Sequence, residues 1–367
     1  MDPRVRFLVI GGFLGAGKTT ALLRLARSFH ERGRKVGLIT NDQAANLVDT
    51  GSIQVRGFRV EEVAGACFCC KFDELAQAAE RIRQADLPDV LLGEPVGSCT
   101  DLAATVVQPL QKFYGDRYHM APYSVLVDPV RARQIVLDKG FGGFSQKVAY
   151  IFLKQLEEAD VIGLNKVDTL SLGAREQLLR ALSQEFPKAR VLPVSGLTGE
   201  GVDDWIDLLL TDGRAGQHIA SVDYDTYAEG EAELGWLNAT VALSAPEPFA
   251  ADQFTRELVL AISKRLLDRR AEAAHLKVLL QTEAGASVAN FVGSHATVTV
   301  STALDAQVRG GQLVINARVH LDPAALRTET EAALTQTLAR LGLRGAALDA
   351  TWFRPGRPVP THRFTPA

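Results

Sequence analysis

The chain has 367 residues, 47% of them hydrophobic and 23% charged, with a formal net charge of −3 at pH 7. This is globular composition, with length for two domains and a core in each, and the near-neutral charge gives no reason to expect a nucleic acid or a membrane surface as partner. No apolar run approaches the ~20 residues needed to span a bilayer, and the N-terminus leads straight into a strand, so we expect no signal peptide and a cytoplasmic location.

Residues 4–10 are a short apolar run of strand type. Residues 10–20 follow as IGGFLGAGKTT, in which Gly12, four residues, then Gly17, Lys18 and Thr19 form the phosphate-loop pattern GxxxxGK[ST]. Backbone N–H groups can surround a phosphate chain only where no Cβ intrudes, and Gly12, Gly15 and Gly17 give that freedom. Lys18 supplies a point charge for the β- and γ-phosphates, and the Thr19 hydroxyl suits Mg²⁺. Residues 19–32 have helical spacing, which aims a helix N-terminus at the phosphates.

Residues 35–40 read as a second strand, ending in Asn41 and Asp42 and followed by QAANLVDTGS. Two readings of this acidic loop stand side by side. Asp42 or Asp49 reaches Mg²⁺, directly or through water, or the loop is a solvated turn rich in Asn and Asp. Three thiols then fall within four residues, at Cys67, Cys69 and Cys70, before an amphipathic helix over 72–84. Thiolates favour Zn²⁺, Cu⁺ and similar ions, and three of them leave a fourth tetrahedral position open, which Cys99 could fill. Buried structural cysteine and redox work at the Cys67–Cys70 spacing are the other readings. All four cysteines lie within one third of the chain, unlike a disulfide framework.

A short apolar strand over 89–93 delivers Glu94, Pro95, Val96 and Gly97 at its C-terminal end, where parallel α/β sheets bind ligands. A carboxylate there can organise Mg²⁺ and an attacking water, and Gly97 lets the backbone approach a γ-phosphate. A helix over 100–113, a strand over 123–127 ending at Asp128, and a helix over 145–158 follow. The strand over 160–164 runs into Asn165, Lys166, Val167 and Asp168. NKxD at a strand end reads guanine, because the Asp carboxylate accepts from both N1–H and the exocyclic amine, which adenine does not offer together. A helix over 174–186 and a strand over 190–194 lead to the glycine-rich loop from Ser195 to Gly201, suited to capping guanine O6, and a helix over 202–210 closes the domain.

About six strands alternating with helices predict an α/β fold, a parallel sheet with helices on both faces, over 1–212. Residues 213–231 read as a polar linker. Residues 232–367 read as a smaller α+β domain with a mostly antiparallel sheet, in the order β-α-β-β-β-α-β, with an irregular proline-rich tail.

The ordered set GGFLGAGKTT, CFCC, EPVG and NKVD resembles the CobW-type metallochaperone P-loop GTPases, relatives of the hydrogenase and urease nickel-insertion GTPases. The likeness covers about residues 4–210. It implies a P-loop NTPase fold and a slow GTPase that couples its nucleotide state to binding and delivery of zinc, or another thiophilic transition metal, to a client metalloprotein. The implied nucleotide-binding set is Gly12, Gly15, Ala16, Gly17, Lys18, Thr19 and Thr20 for the phosphates, and Asn165, Lys166, Asp168 and Ser195 for the base. Lys18, Glu94 and Gly97 are the implied catalytic residues, Thr19, Asp42 and Glu94 hold Mg²⁺, and Cys67, Cys69, Cys70 and Cys99 hold the metal. The implied partners are GTP and GDP, a transition metal ion, a client protein and a nucleotide- or metal-dependent second copy. The alternative is a GTP-latched activator of a client enzyme in which the cysteines are structural. The usual acidic segment after strand two is replaced by NDQAANLVD, and the chain has no His-rich tract, with seven His in all.

Overall fold

A computed structural model describes residues 4–42, 58–211, 213–293 and 298–365, Asp42 by its backbone alone. The described residues divide into two compact units, one from 4–42, 58–228 and 357–365, the other from 229–356. Asp49 lies outside the described residues.

The first unit is built on β1 (Val5–Gly12), buried along nearly its whole length, as a central parallel strand must be. In order follow α1 (Lys18–Glu31), β2 (Val36–Asp42), β3 (Arg59–Ala64), α2 (Phe72–Asp86) and β4 (Val90–Glu94). A π-helical turn, Ala103–Val107, then opens into α3 (Gln108–Tyr114). Next come β5 (Tyr118–Met120), β6 (Ser124–Val127), α4 (Pro129–Ala132), α5 (Gln146–Glu157), β7 (Val161–Leu164), α6 (Leu172–Glu185), β8 (Arg190–Pro193), α7 (Val202–Thr211) and the first half of α8 (Tyr224–Ala232), which runs on past the unit's last helical residue at 228. The sheet order is β3-β2-β4-β1-β6-β7-β8, with β5 on β1 as an eighth strand. All its pairs are parallel. Every segment that carries a motif therefore leaves the C-terminal edge of this one sheet, where ligand crevices of open α/β sheets form.

Two strands go beyond the sequence expectation. β3 carries Glu61 and Glu62, which an edge strand tolerates but which obscure the apolar alternation. β5 has only three residues and pairs beside Val5–Phe7 while β6 takes over from Ile10.

The second unit contains β9 (Gly235–Ala250), α9 (Ala251–Asp268), β10 (Ala273–Thr282), β11 (Gly285–Gly293), β12 (Thr299–Thr302), β13 (Gln307–Val319), α10 (Pro323–Leu341) and β14 (Arg344–Phe353). Its antiparallel order is β12-β11-β10-β13-β9-β14. Period-two alternation sorts the side chains. Leu276, Val278 and Leu280 pack with Phe254, Leu258 and Ile262 of α9, while Leu279 lies in a second cluster with Val288 and Val314. The strand absent from the expected order is β11. Its sequence GASVANFVG has small residues and a glycine at each end, a composition that reads as loop until a partner strand supplies the ladder.

The expected linker and C-terminal boundary need correction. Residues 213–228 pack in the first unit, since Asp160 accepts from the backbone N–H of Gly216 at 2.6 Å and of Gln217 at 3.2 Å. The tail, grouped by sequence with the C-terminal domain, also belongs to the first unit. Arg363 Nε lies 2.6 Å from Asp101 Oδ2, and the His362 ring packs edge-on to Phe72 at 5.1 Å. Prolines deny the tail regular structure, so its contacts are side-chain and isolated backbone bonds.

Candidate functional site

The phosphate loop turns where the glycines allow it. Gly12, Gly15 and Gly17 have φ values of 133°, 81° and 88°. A Cβ on Gly12 would sit 2.4 Å from the Leu126 carbonyl oxygen, and one on Gly17 would sit 2.6 Å from Asn165 Nδ2. No side chain caps the start of α1, the arrangement of an anion-binding helix N-terminus. Lys18 is buried, its Nζ donating to the Gly12 carbonyl at 2.9 Å. Thr20 follows on α1, half-buried.

Thr19 Oγ1 donates to Glu94 Oε1 at 2.9 Å. β1 and β4 are neighbours in register, so the helix after one and the end of the other meet. Two buried hard oxygens at this spot fit a small cation such as Mg²⁺ rather than a thiophilic ion. Gly97 closes the same corner, and a Cβ there would sit 2.9 Å from Lys18 Nζ and 2.8 Å from Leu14 Cδ2. Asp42 ends β2 opposite Ala64.

The expected base-reading residues converge on the phosphate loop from β7 and β8. Asn165 Nδ2 donates to the Ala16 carbonyl at 2.7 Å, and its Oδ1 accepts from Gly196 N at 3.0 Å. Lys166, in the left-handed region at φ 57°, lays its Nζ 2.8 Å from the Gly15 carbonyl. Ser195 Oγ donates to Asp168 Oδ1 at 2.5 Å and accepts from Thr198 N at 3.0 Å. The Asp168 carboxylate is exposed and oriented by this hydroxyl. Sequence reasoning passed over Asp128. Its Oδ1 caps α4 by accepting from Val130 N and Arg131 N, and its Oδ2 holds Lys166 Nζ at 2.8 Å. An Asp directly before Pro at a strand end was the available signal.

The four thiols form one cluster. Cys69 Sγ lies 2.9 Å from Cys67 Sγ, 3.8 Å from Cys70 Sγ and 3.7 Å from Cys99 Sγ, and Cys67 Sγ is 3.2 Å from Cys70 Sγ. All four are free of disulfides. Cys67, Cys69 and Cys99 are buried with their sulfurs within 4.8 Å of one another. Hydrogen bonding to Cys67 is the main cause that pushes the Cys69 thiol well above its usual value and Cys70 up to about 11, with burial adding to both. Cys69 and Cys70, raised in this way, would release protons on binding a metal as thiolates. Asn41, at the end of β2, positions the motif. Its Nδ2 donates to the carbonyls of Val63 and Ala66, and its Oδ1 accepts from Phe68 N at 2.8 Å. The end of β2 is therefore tied to the thiol loop, a link that Asn41 alone does not announce in sequence.

Among the described residues no helix is long and apolar enough to cross a membrane.

Residues 6–193 match the family model of the CobW/HypB/UreG nucleotide-binding domain. The zinc chaperone YjiA of Escherichia coli (strain K12) is 28% identical over 201 residues, 53% of this chain and 58% of the relative. The zinc-regulated GTPase metalloprotein activator 1 of Dictyostelium discoideum is 24% identical over 213 residues, 50% of this chain and 44% of the relative. The match thus spans about half the length of each. Among solved structures, HypB from Helicobacter pylori in complex with nickel aligns at 17% identity and a TM-score of 0.42, covering 60% of this chain and 92% of that one.

Proposed function

The chain belongs to the CobW/HypB/UreG nucleotide-binding family, and from that premise we propose that it is a GTP-hydrolysing metallochaperone. In this reading it couples its nucleotide state to binding zinc, or another thiophilic transition metal, and passes the metal to a client protein. The observation that carries the reading is the four-thiol cluster set between Asn41 at the end of β2 and the loop of Gly97, the latter packed against Leu14 and Lys18 of the phosphate loop. Structural cysteines need no such placement.

In the proposed cycle Gly12 to Thr20 cradle the phosphates and Lys18 neutralises charge on the β- and γ-phosphates. Mg²⁺, held by Thr19 and Glu94, would offset charge on the transferring phosphoryl. Glu94 orients the attacking water. The water oxygen bonds to the γ-phosphorus, the bond to the β–γ bridging oxygen breaks, and GDP leaves with inorganic phosphate and the water's proton. Asn165, Lys166, Asp168 and Ser195 select guanine. The metal is cargo, held by Cys67, Cys69, Cys70 and Cys99. Reduced thiols fit a cytoplasmic location. Pairing with a second copy, driven by nucleotide or metal, is part of the proposal, as is docking of the client on the second unit.

The test is Zn²⁺ affinity by chelator competition, with GDP and with a non-hydrolysable GTP analogue plus Mg²⁺. We expect the two to differ by about tenfold or more. Coinciding curves would favour the alternative, a GTP-latched client activator with structural cysteines.

A further inference from the structure

We infer that Gln155 is a positioning residue that transmits the nucleotide state to the thiol cluster. The inference rests on the function proposed above and names the part that carries the coupling. Gln155 lies on α5 and is 1% exposed. Its Nε2 donates to the Gly97 carbonyl at 3.0 Å and to the Cys99 carbonyl at 2.9 Å. A side-chain amide nitrogen carries two protons, and both are used on one loop. Facing two carbonyls, the nitrogen end of the amide is the end chemistry requires there.

The two acceptors belong to different chemistries. Gly97 is the residue whose missing Cβ makes room for Lys18 Nζ, the cation assigned above to the β- and γ-phosphates. Cys99 brings a sulfur 3.7 Å from Cys69. Between them Cys99 N donates to the Val96 carbonyl at 3.0 Å, closing a turn, and Ser98 is fully buried. The turn and the shared donor make residues 96–99 one body. A shift of Gly97 toward a γ-phosphate must carry the Cys99 backbone with it or leave a buried carbonyl without its donor, which burial penalises. Gln155 also sits on the same face of α5 as Val148, Ile151 and Phe152, so a polar residue at an apolar position of the helical period was the signal.

The substitution is Gln155→Met, which keeps the length and loses both donors. Zn²⁺ affinity of the full chain is measured by chelator competition with GDP and with the GTP analogue plus Mg²⁺. In the unsubstituted protein the ratio is expected to be about tenfold or more, and in Gln155→Met to fall below about threefold, while GDP affinity stays within about threefold. A variant ratio equal to that of the unsubstituted protein overturns this inference alone. A ratio of one already in the unsubstituted protein overturns the inference together with the coupled function. If Gln155→Met does not fold, amide hydrogen exchange of the unsubstituted protein decides. Exchange of GDP for the analogue should change protection at Gly97 and at Cys99 to Asp101 together, and a change confined to Gly97 overturns the inference.

Discussion

Arg363 Nε and Asp101 Oδ2 stand 2.6 Å apart though 262 positions separate them in the chain. Asp101 is fully buried and held at φ 68°, two residues after Cys99, and also accepts from Tyr224 at 2.8 Å. The same tail places Thr361 N on the Cys69 carbonyl at 2.8 Å and Thr361 Oγ1 on the Cys70 carbonyl at 3.1 Å. One segment thus braces both stretches that carry thiols. Arg363→Ala leaves a buried carboxylate short of its cation and should cost about 2 kcal/mol, read as a lower urea midpoint at unchanged slope. Arg363→Lys should recover part of it.

Stability should fall as pH rises, in part through Glu158. Burial holds this carboxyl well above its ordinary value of 4.5, against the opposing hydrogen bond from Ala103 N at 2.8 Å. The folded form therefore keeps a proton that the unfolded chain loses above about pH 4.5, and linkage makes stability decline from there up to the raised folded value. Glu158→Gln keeps an acceptor for Ala103 and cannot ionise. Its melting temperature should decline less than that of the unsubstituted protein between about pH 5 and 8, and parallel melting curves would remove Glu158 from the account.

Asp128 performs two tasks that substitution can separate. Asp128→Ala removes the cap of α4 and the partner of Lys166. We expect about 1 kcal/mol of destabilisation from the lost cap and roughly tenfold weaker GDP binding from the freed lysine. Asp128→Asn retains the capping oxygen, so its melting temperature should stay close to that of the unsubstituted protein while GDP binding, measured by calorimetry, still weakens.

Cys99 distinguishes a four-thiol from a three-thiol site. Cys99→Ser should lower Zn²⁺ affinity about a hundredfold, the share of one thiolate in a four-ligand site, and leave GDP affinity unchanged. Unchanged Zn²⁺ affinity would reduce the site to Cys67, Cys69 and Cys70. Absorbance of a Co²⁺-substituted sample reports the ligand set independently, because tetrahedral thiolate coordination gives an intense spectrum.

Local pattern carries some of this protein. The turn from Gly12 to Thr19 works through backbone freedom and spacing within one short stretch, so its residues declare it wherever they stand between a strand and a helix. The same is true of Asn165 to Asp168 at the end of β7, and of the period-two runs that became β10 and β13. These are properties of neighbours along the chain. Partners across the chain are set by packing instead. Apolar periodicity says that Gln155 is on a buried helical face and that Asp101 follows a strand and a turn. It does not say which carbonyls or which cation they meet. Only the parallel order of the sheet, with β4 beside β1 and β2, brings Glu94 to Thr19, and only the folded loops bring Cys99 to Cys69. The return of the tail to Asp101 was hidden for the same reason, since proline-rich chain has no period to read and its place is decided by one buried charge and a few backbone carbonyls.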